Sequence, residues 1–291
     1  MKKLPLFLTA LLITATACDK IDTSNEIFEI ISPVEITPWD SEFAETVIQK
    51  IYIEEFTGHA CTYCPDGARI LKKLMDEDST VIATAIHCTN LANPGKFPFD
   101  KNFKTPMGDE ICAKFKISGL PKAMINRKEN GSNGWGFDRN KWRSEVAKID
   151  RSNVRAGIEL QCTINEIKQE IEAKASVTAI KEMKNPVQLC IVLQQDSIIS
   201  GQIDNGKEIL DYVHNHVLRA GFNRHYGIKL TQNGMVEAEK KYTIAFKLFY
   251  GNIFSNSSVP VVIKNCSVVA YLLDMKTQEM IQVETWHATS H

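Results

Sequence analysis

The sequence predicts two units in series, an α/β unit over residues 49–151 and an all-β sandwich over residues 152–291. Three observations predict it. Up to residue 149, strand-like apolar runs alternate with helical stretches, which is the pattern of a parallel core covered by helices. From Asn153 onward the chain turns to short runs with period-two alternation, the pattern of antiparallel sheets. The chain has 291 residues, 44% of them hydrophobic and 24% charged, enough for two ordinary globular units.

The N-terminal 48 residues carry a different message. MKKLPLFLTALLITATAC opens with Lys2 and Lys3, continues with an apolar run over residues 4–17, and ends in small residues followed at once by Cys18. The run is too short to span a bilayer and has the shape of a signal peptide. An ordinary signal peptide needs no cysteine at its end. A bacterial lipoprotein signal does, because that thiol receives a diacylglycerol before cleavage. Residues 1–17 are therefore read as a lipoprotein signal peptide and Cys18 as the lipidation site. Each buried methylene adds about 0.8 kcal/mol, so several acyl chains hold stably. The expected partner is a membrane of a Gram-negative cell, reached through Cys18. Residues 18–48 read as a tether and an extended lead-in, with Pro33 and Pro38 in the latter. The formal net charge of -1 gives no basis for polyanion binding, and nucleic acid is excluded as a partner.

Within the first unit, IYIEEF reads as a strand, and CTYCPDGARILKKLMDED as a helix with Ala68, Leu71, Leu74 and Met75 at helical spacing. VIATAIHC is an almost continuous apolar run, as in a buried parallel strand. A loop rich in Asn, Pro and Phe follows over residues 89–104. Thr105 and Pro106 start a helix through Phe115, KAMINR is a short strand, and the last helix runs from about Asp138 to Ile149.

The chemistry centres on EEFTGHACTYCPDGARIL, where Cys61 and Cys64 sit between the first strand and the first helix. A helix N-terminus carries roughly half a positive charge and lowers a thiol pKa. Cys61 is accordingly expected to be the exposed attacking sulfur. Cys64, one turn in, is expected to be more buried and to resolve the mixed disulfide. Zinc is the alternative for such a pair, and it needs about four ligands. His59 and His87 are at hand, but there is no second Cys-x-x-Cys, so neither metal nor cofactor is expected. A disulfide that merely holds the loop is the other alternative. Of the eight cysteines, assigning Cys18 to lipid leaves seven, which cannot all pair within one chain. Cys190 and Cys266 lie in apolar runs and read as small buried hydrophobes.

This order of elements, with the pair after the first strand, resembles the thioredoxin fold over residues 51–149. Glu55 stands six residues before Cys61, where that fold carries a buried carboxylate. Leu120 and Pro121 match its apolar residue and cis-proline, and Phe56 its aromatic before the pair. The resemblance implies that Glu55 relays a proton to and from Cys64. It also implies that the Leu120–Pro121 edge binds an extended client strand. His59 and Tyr63 flank the pair and would tune it. Two departures stand out: Ala60 replaces the usual tryptophan, and Thr62-Tyr63 replaces Gly-Pro.

The second unit supplies about seven strands, the signature of an immunoglobulin-like sandwich. IEAKASVTA alternates Ile171, Ala173, Ala175 and Val177 on one face; YTIAFKLFY alternates Tyr242, Ile244, Phe246, Leu248 and Tyr250. NVRAGIELQC, VQLCIVLQQ, VPVVI and the paired runs in SVVAYLLDMKTQEMIQVETW complete it. The segment EILDYVHNHVLRAGFNRHYG interrupts the series, and its His214, His216 and His225 read as residues of a polar loop without acidic or cysteine co-ligands.

As a whole, EEFTGHACTYCPDGARIL, VIATAIH, GLPKAMINR and DYVHNHVLR resemble the Omp-twenty-eight-related outer-membrane lipoproteins of anaerobic Gram-negative bacteria. The resemblance implies an outer-membrane or surface location. GLPKAM lacks the threonine-glycine expected after such a proline. The expected function is a lipid-anchored thiol-disulfide oxidoreductase acting on protein thiols or disulfides. The alternative is a surface binding or adhesion protein whose thioredoxin-like unit is only a scaffold.

Overall fold

The computed structural model describes residues 27–39, 41–131, 134–254 and 258–288. The signal segment and Cys18 lie outside the described residues. The lead-in forms β1 (Phe28–Ile30), β2 (Glu35–Pro38) and α1 (Ser41–Thr46). Then come β3 (Ile51–Thr57), α2 (Cys64–Glu77), β4 (Val81–His87), α3 (Pro106–Lys114), β5 (Lys122–Ile125), β6 (Phe137–Asp138) and α4 (Trp142–Ala147). The second half supplies β7 (Ala156–Asn165), β8 (Glu170–Ala179), β9 (Val187–Gln195), β10 (Ile198–Asp204), β11 (Lys207–His214) and β12 (Val217–Gly221). It ends with β13 (Ile228–Lys229), β14 (Lys240–Phe249), α5 (Tyr250–Phe254), β15 (Cys266–Asp274) and β16 (Met280–His287).

The fold is β-rich. β3 and β4 pair in parallel from Ile51↔Val81 to Thr57↔His87, and both are buried along their whole length. Burial on both faces is why these segments read as unbroken apolar runs. β5 lies antiparallel to β3, so the core expected to be parallel is mixed. The sheet does not stop at the end of the first half. β12 pairs with β4 in parallel through Val217↔Ala85, and Ala85 N–H donates to the His216 carbonyl at 2.7 Å. The larger sheet therefore runs β16-β15-β9-β12-β4-β3-β5-β6, with β13 beside β9.

A second sheet, β1-β14-β8-β7 with β2 also on β14, covers one face of this large sheet. The core between them follows the alternation along the strands. Tyr242, Ile244, Phe246 and Leu248 of β14 face inward opposite Val177, Ala175, Ala173 and Ile171 of β8. In the middle of this pair the large Ile244 and Phe246 meet the small Ala175 and Ala173, which leaves room for them in the layer. β9 has cores on both sides: Leu189, Ile191 and Leu193 join the intersheet core, whereas Cys190 and Val192 join the core under α3. Helices α2 and α4 close the other face of β3 and β5 through Leu71, Leu74, Trp142 and Val146.

Three expectations are corrected. VPVVI forms no strand; Pro260 has no N–H for a ladder, and the segment ends in a 3-10 turn over Ile263–Asn265. The helix expected from Asp138 is shorter, Trp142–Ala147, preceded by β6 and a 3-10 turn over Arg139–Lys141. The segment read as a polar loop around His214 is a β-hairpin, β10–β11, in register from Ile198↔His214 to Asp204↔Lys207.

Candidate functional site

The alternation of β3 sends its two consecutive glutamates to opposite faces of the sheet. Glu54 meets Arg127, whose Nε and Nη2 donate to its carboxylate at 2.7 and 2.6 Å, and both side chains are buried. Glu55 enters the α2 side. Its Oε1 is buried with no hydrogen-bond partner among the described residues. Burial pushes its carboxyl pKa up to about 8, so it holds a proton at neutral pH.

Cys61 and Cys64 are joined by a disulfide, with Cα atoms 5.4 Å apart. Cys61 N–H donates to the Gly58 carbonyl, and Cys64 begins α2, with Pro65 in the first turn and Asp66 beside it. Gly67 explains how the surrounding groups close up. A Cβ there would lie 2.9 Å from Trp142, 3.1 Å from Glu55 Oε1 and 3.2 Å from Pro121 Cβ. One turn after Cys64, then, the helix backbone touches both Glu55 and Pro121. The Leu120–Pro121 bond is cis.

The expectation of an exposed Cys61 is overturned. Cys61 is 3% exposed and Cys64 2%. What covers Cys61 is the β10–β11 hairpin. Gln202 Nε2 donates to the carbonyls of Cys61 at 3.1 Å and Gly58 at 3.3 Å. Ile203 N–H donates to the His59 carbonyl, and Asn205 N–H to the Thr62 carbonyl. Gly206 N–H donates to the Thr62 hydroxyl at 2.7 Å. At the other edge, Gly201 sits so close to Pro98 that a Cβ would lie 2.5 Å from its carbonyl oxygen. Arg69 of α2 pairs with Asp204 of the hairpin at 2.8 Å.

Beside this lid lies a cleft of about 530 Å³ between α2, the ends of β3 and β4, and the hairpin. Glu55, Cys64, His87, Gln202, Tyr212 and His214 line it; Cys61 does not. His87 has no partner at either ring nitrogen among the described residues, and His214 none at Nε2. Their rings lie 5.6 Å apart, and both touch Phe103. Burial lowers both imidazoles, His214 to about 4, so both are neutral at physiological pH.

The other residues singled out by sequence fall elsewhere. His59 is buried behind Cys61, its Nε2 3.0 Å from the Asn93 carbonyl and its ring stacked on Phe99. Tyr63 is exposed and lies under the Arg139 guanidinium. Leu120 packs against the core under α3. His214, His216 and His225 go separate ways. His216 lies past the end of β11 at φ +56° and pairs with Asp196, while His225 meets Glu110. Among the described residues no cluster of three or more His, Cys, Asp or Glu side chains is placed to hold a metal ion. Of His87, Gln202, Tyr212 and His214, His87 has a local signal, since it ends the apolar run VIATAIH; the other three lie on the hairpin, where no alternation marks a buried face.

The site and fold together define a β-rich protein with a lidded disulfide beside a polar-floored cleft. Residues 108–289 match the family model described as outer membrane protein Omp28, and the chain belongs to that family. Its location is accordingly the outer membrane of the cell envelope, as the family resemblance predicted. The matched residues include the hairpin but begin after the Cys61–Cys64 turn. The chain shares its fold with HBP35 of Porphyromonas gingivalis, at a TM-score of 0.56 and 17% identity, over 84% of this chain and 79% of that one. A domain of the outer membrane lipoprotein Omp28 from the same organism aligns at a TM-score of 0.30 and 18% identity, over 48% of this chain and 92% of that one. No curated protein matches the chain.

Proposed function

We propose that the protein is a thiol-disulfide oxidoreductase of the outer membrane. In this reading residues 49–151 are a thioredoxin-like unit and residues 152–291 an immunoglobulin-like sandwich. The observation that carries it is the buried Glu55 carboxyl, whose Oε1 has no hydrogen-bond partner among the described residues, lining the same cleft as Cys64. A buried carboxyl without a partner costs stability and contributes none, whereas a proton store beside a sulfur that alternates between thiol and disulfide has a use. Whenever Cys64 leaves a disulfide as a thiolate, Glu55 supplies its proton; when Cys64 forms a disulfide again, Glu55 takes it back. Pro121 packs against α2 at Gly67 and fixes the edge beside the pair.

The test is equilibration of the whole protein with dithiothreitol buffers of graded potential, followed by alkylation and mass measurement. The expected result is a reversible two-electron transition of the pair in the folded protein. A disulfide that yields only when the protein unfolds would overturn the reading. Glu55→Gln is expected to slow breakdown of a mixed disulfide more than its formation.

The burial of Cys61 beneath the hairpin favours a second reading, a surface binding protein with a non-catalytic thioredoxin-like scaffold. The same titration separates the two. We also propose that Cys18, outside the described residues, carries the lipid. Cys18→Ser should abolish fatty-acid labelling and release the protein from membranes, and retention through a carbonate wash would refute the anchor.

A further inference from the structure

We propose that the cleft beside Cys64 binds a small neutral thiol, or its disulfide, and that this ligand exchanges electrons with the Cys61–Cys64 pair at Cys64. The inference rests on the redox reading above and adds to it the substrate class and the sulfur that reacts.

Access decides the sulfur. A client lying along Cys61 as an extended strand meets the hairpin, whose Gln202, Ile203 and Asn205 already hold the carbonyls of Cys61, His59 and Thr62. Cys64 lines the cleft instead. Size decides the class. About 530 Å³ falls within the range of small-molecule pockets, roughly 300–1,000 Å³, and is narrow for a peptide strand with its side chains.

The floor decides the charge. Glu55 Oε1, both ring nitrogens of His87 and Nε2 of His214 are buried polar atoms, and their side chains are 5% exposed or less. Buried polar atoms in native proteins are paired, and what enters this cleft is what pairs these. The groups are neutral donors and acceptors. The cations at the mouth, Arg69 and Lys72, are engaged with Asp204 and Asp76. A charged ligand head on this floor would lose its hydration without gaining a counter-ion. An amide or hydroxyl would find partners, and an alkyl portion would lie on Leu71 and Met75.

The reaction balances. A ligand thiolate attacks Cys64 Sγ, the Cys61–Cys64 bond breaks, and Cys61 leaves as a thiolate that takes a proton from water. A second ligand thiolate attacks the ligand sulfur of the mixed disulfide. The bond to Cys64 breaks, and Cys64 leaves with the proton of Glu55, which water restores. Two ligand thiols become one disulfide and release two protons, while the protein disulfide becomes two thiols and takes up two. The reverse sequence reduces the ligand disulfide.

The experiment uses the purified full chain. Reduced Cys61→Ser and Cys64→Ser proteins are mixed with diacetylcystamine, a small neutral disulfide, or with oxidised glutathione, and adducts are followed by intact mass. The expected result is that Cys64, in Cys61→Ser, couples to diacetylcystamine at least ten-fold faster than Cys61 does in Cys64→Ser. The preference for diacetylcystamine over oxidised glutathione should exceed that of free cysteine at least ten-fold, and His214→Phe should remove it. A second measurement needs no cysteine variant: reduction of the wild-type disulfide by N-acetylcysteamine should saturate with concentration, and by mercaptoethanesulfonate should stay slower and linear. Coupling that is faster at Cys61, or that follows intrinsic reactivity for both probes, overturns the inference and leaves the redox reading standing. Failure of both cysteines to couple in the folded protein, with both reactive in denaturant, overturns the two together.

Discussion

Glu54 and Glu55 are neighbours in sequence and opposites in environment. Glu54 is buried and answered by Arg127; Glu55 is buried, and its Oε1 is unanswered. The difference has a pH signature. The carboxyl pKa of Glu55 rises from an ordinary 4.5 to about 8 in the folded protein. Between those values the folded chain binds a proton that the unfolded chain does not, so the unfolding free energy falls as pH rises through this window and levels off above it. Each ten-fold difference in proton affinity between the two states corresponds to about 1.4 kcal/mol, so the loss across the window amounts to several kcal/mol. Glu55→Gln cannot ionise and should lack this part of the slope. In urea titrations from pH 5 to pH 9, the variant should gain on the wild type steadily as pH rises. Parallel curves for the two proteins would mean that Glu55 is ionised in the folded state.

At the scale of elements, the β10–β11 hairpin sets access to the pair. Gln202 is the pin, because a single side-chain amide donates to the carbonyls of Cys61, Gly58 and Ile203. A hydrogen bond of this kind contributes about 0.5–1.5 kcal/mol. Gln202→Ala should therefore raise the rate of disulfide reduction by dithiothreitol up to about ten-fold, read by quenched alkylation, and an unchanged rate would show that the hairpin is no barrier. The hairpin is also where sequence reasoning falls short, for a physical reason. Its contact with Cys61 spans 141 residues. Its strands bury few apolar groups, and Ile199, Leu210 and Val213 point to solvent, so no alternation marks a buried face. By contrast, β14 is legible residue by residue, because one face meets the intersheet core and the other does not. The turn from Glu55 through Cys64 into α2 is legible too, since its signals are local. The exposure of Cys61 is set by a distant element and could not be read from the turn.

For the whole molecule, the joint between β4 and β12 matters most. It rests on the pair Val217↔Ala85 and the bond from Ala85 N–H to His216, yet it merges the two halves into one sheet. The core under α3 adds to the joint, because it takes Tyr52, Phe56 and Ile86 from the first half and Cys190, Val269 and Tyr271 from the second. Neither half can leave without exposing that core to water. Heat should therefore unfold residues 49–288 in one cooperative transition, with equal calorimetric and van't Hoff enthalpies. Two transitions, or an earlier loss of exchange protection in β3 than in β15, would show that the halves unfold separately.

The lead-in gives this arrangement a mechanical side. β1 and β2 hang on the edge of the second sheet through short ladders to β14, from Phe28↔Leu248 to Ile30↔Phe246 and from Glu35↔Thr243 to Pro38↔Lys240. With the lipid anchor proposed at Cys18, a pull from the membrane would reach the folded chain at this end. A pull directed away from the sheet opens these rungs one after another and releases about 40 Å of chain over residues 27–38, at up to about 3.5 Å per residue, before β3 is loaded. Under that anchor the two small strands would act as a tear-away seam that spares the disulfide and its cleft.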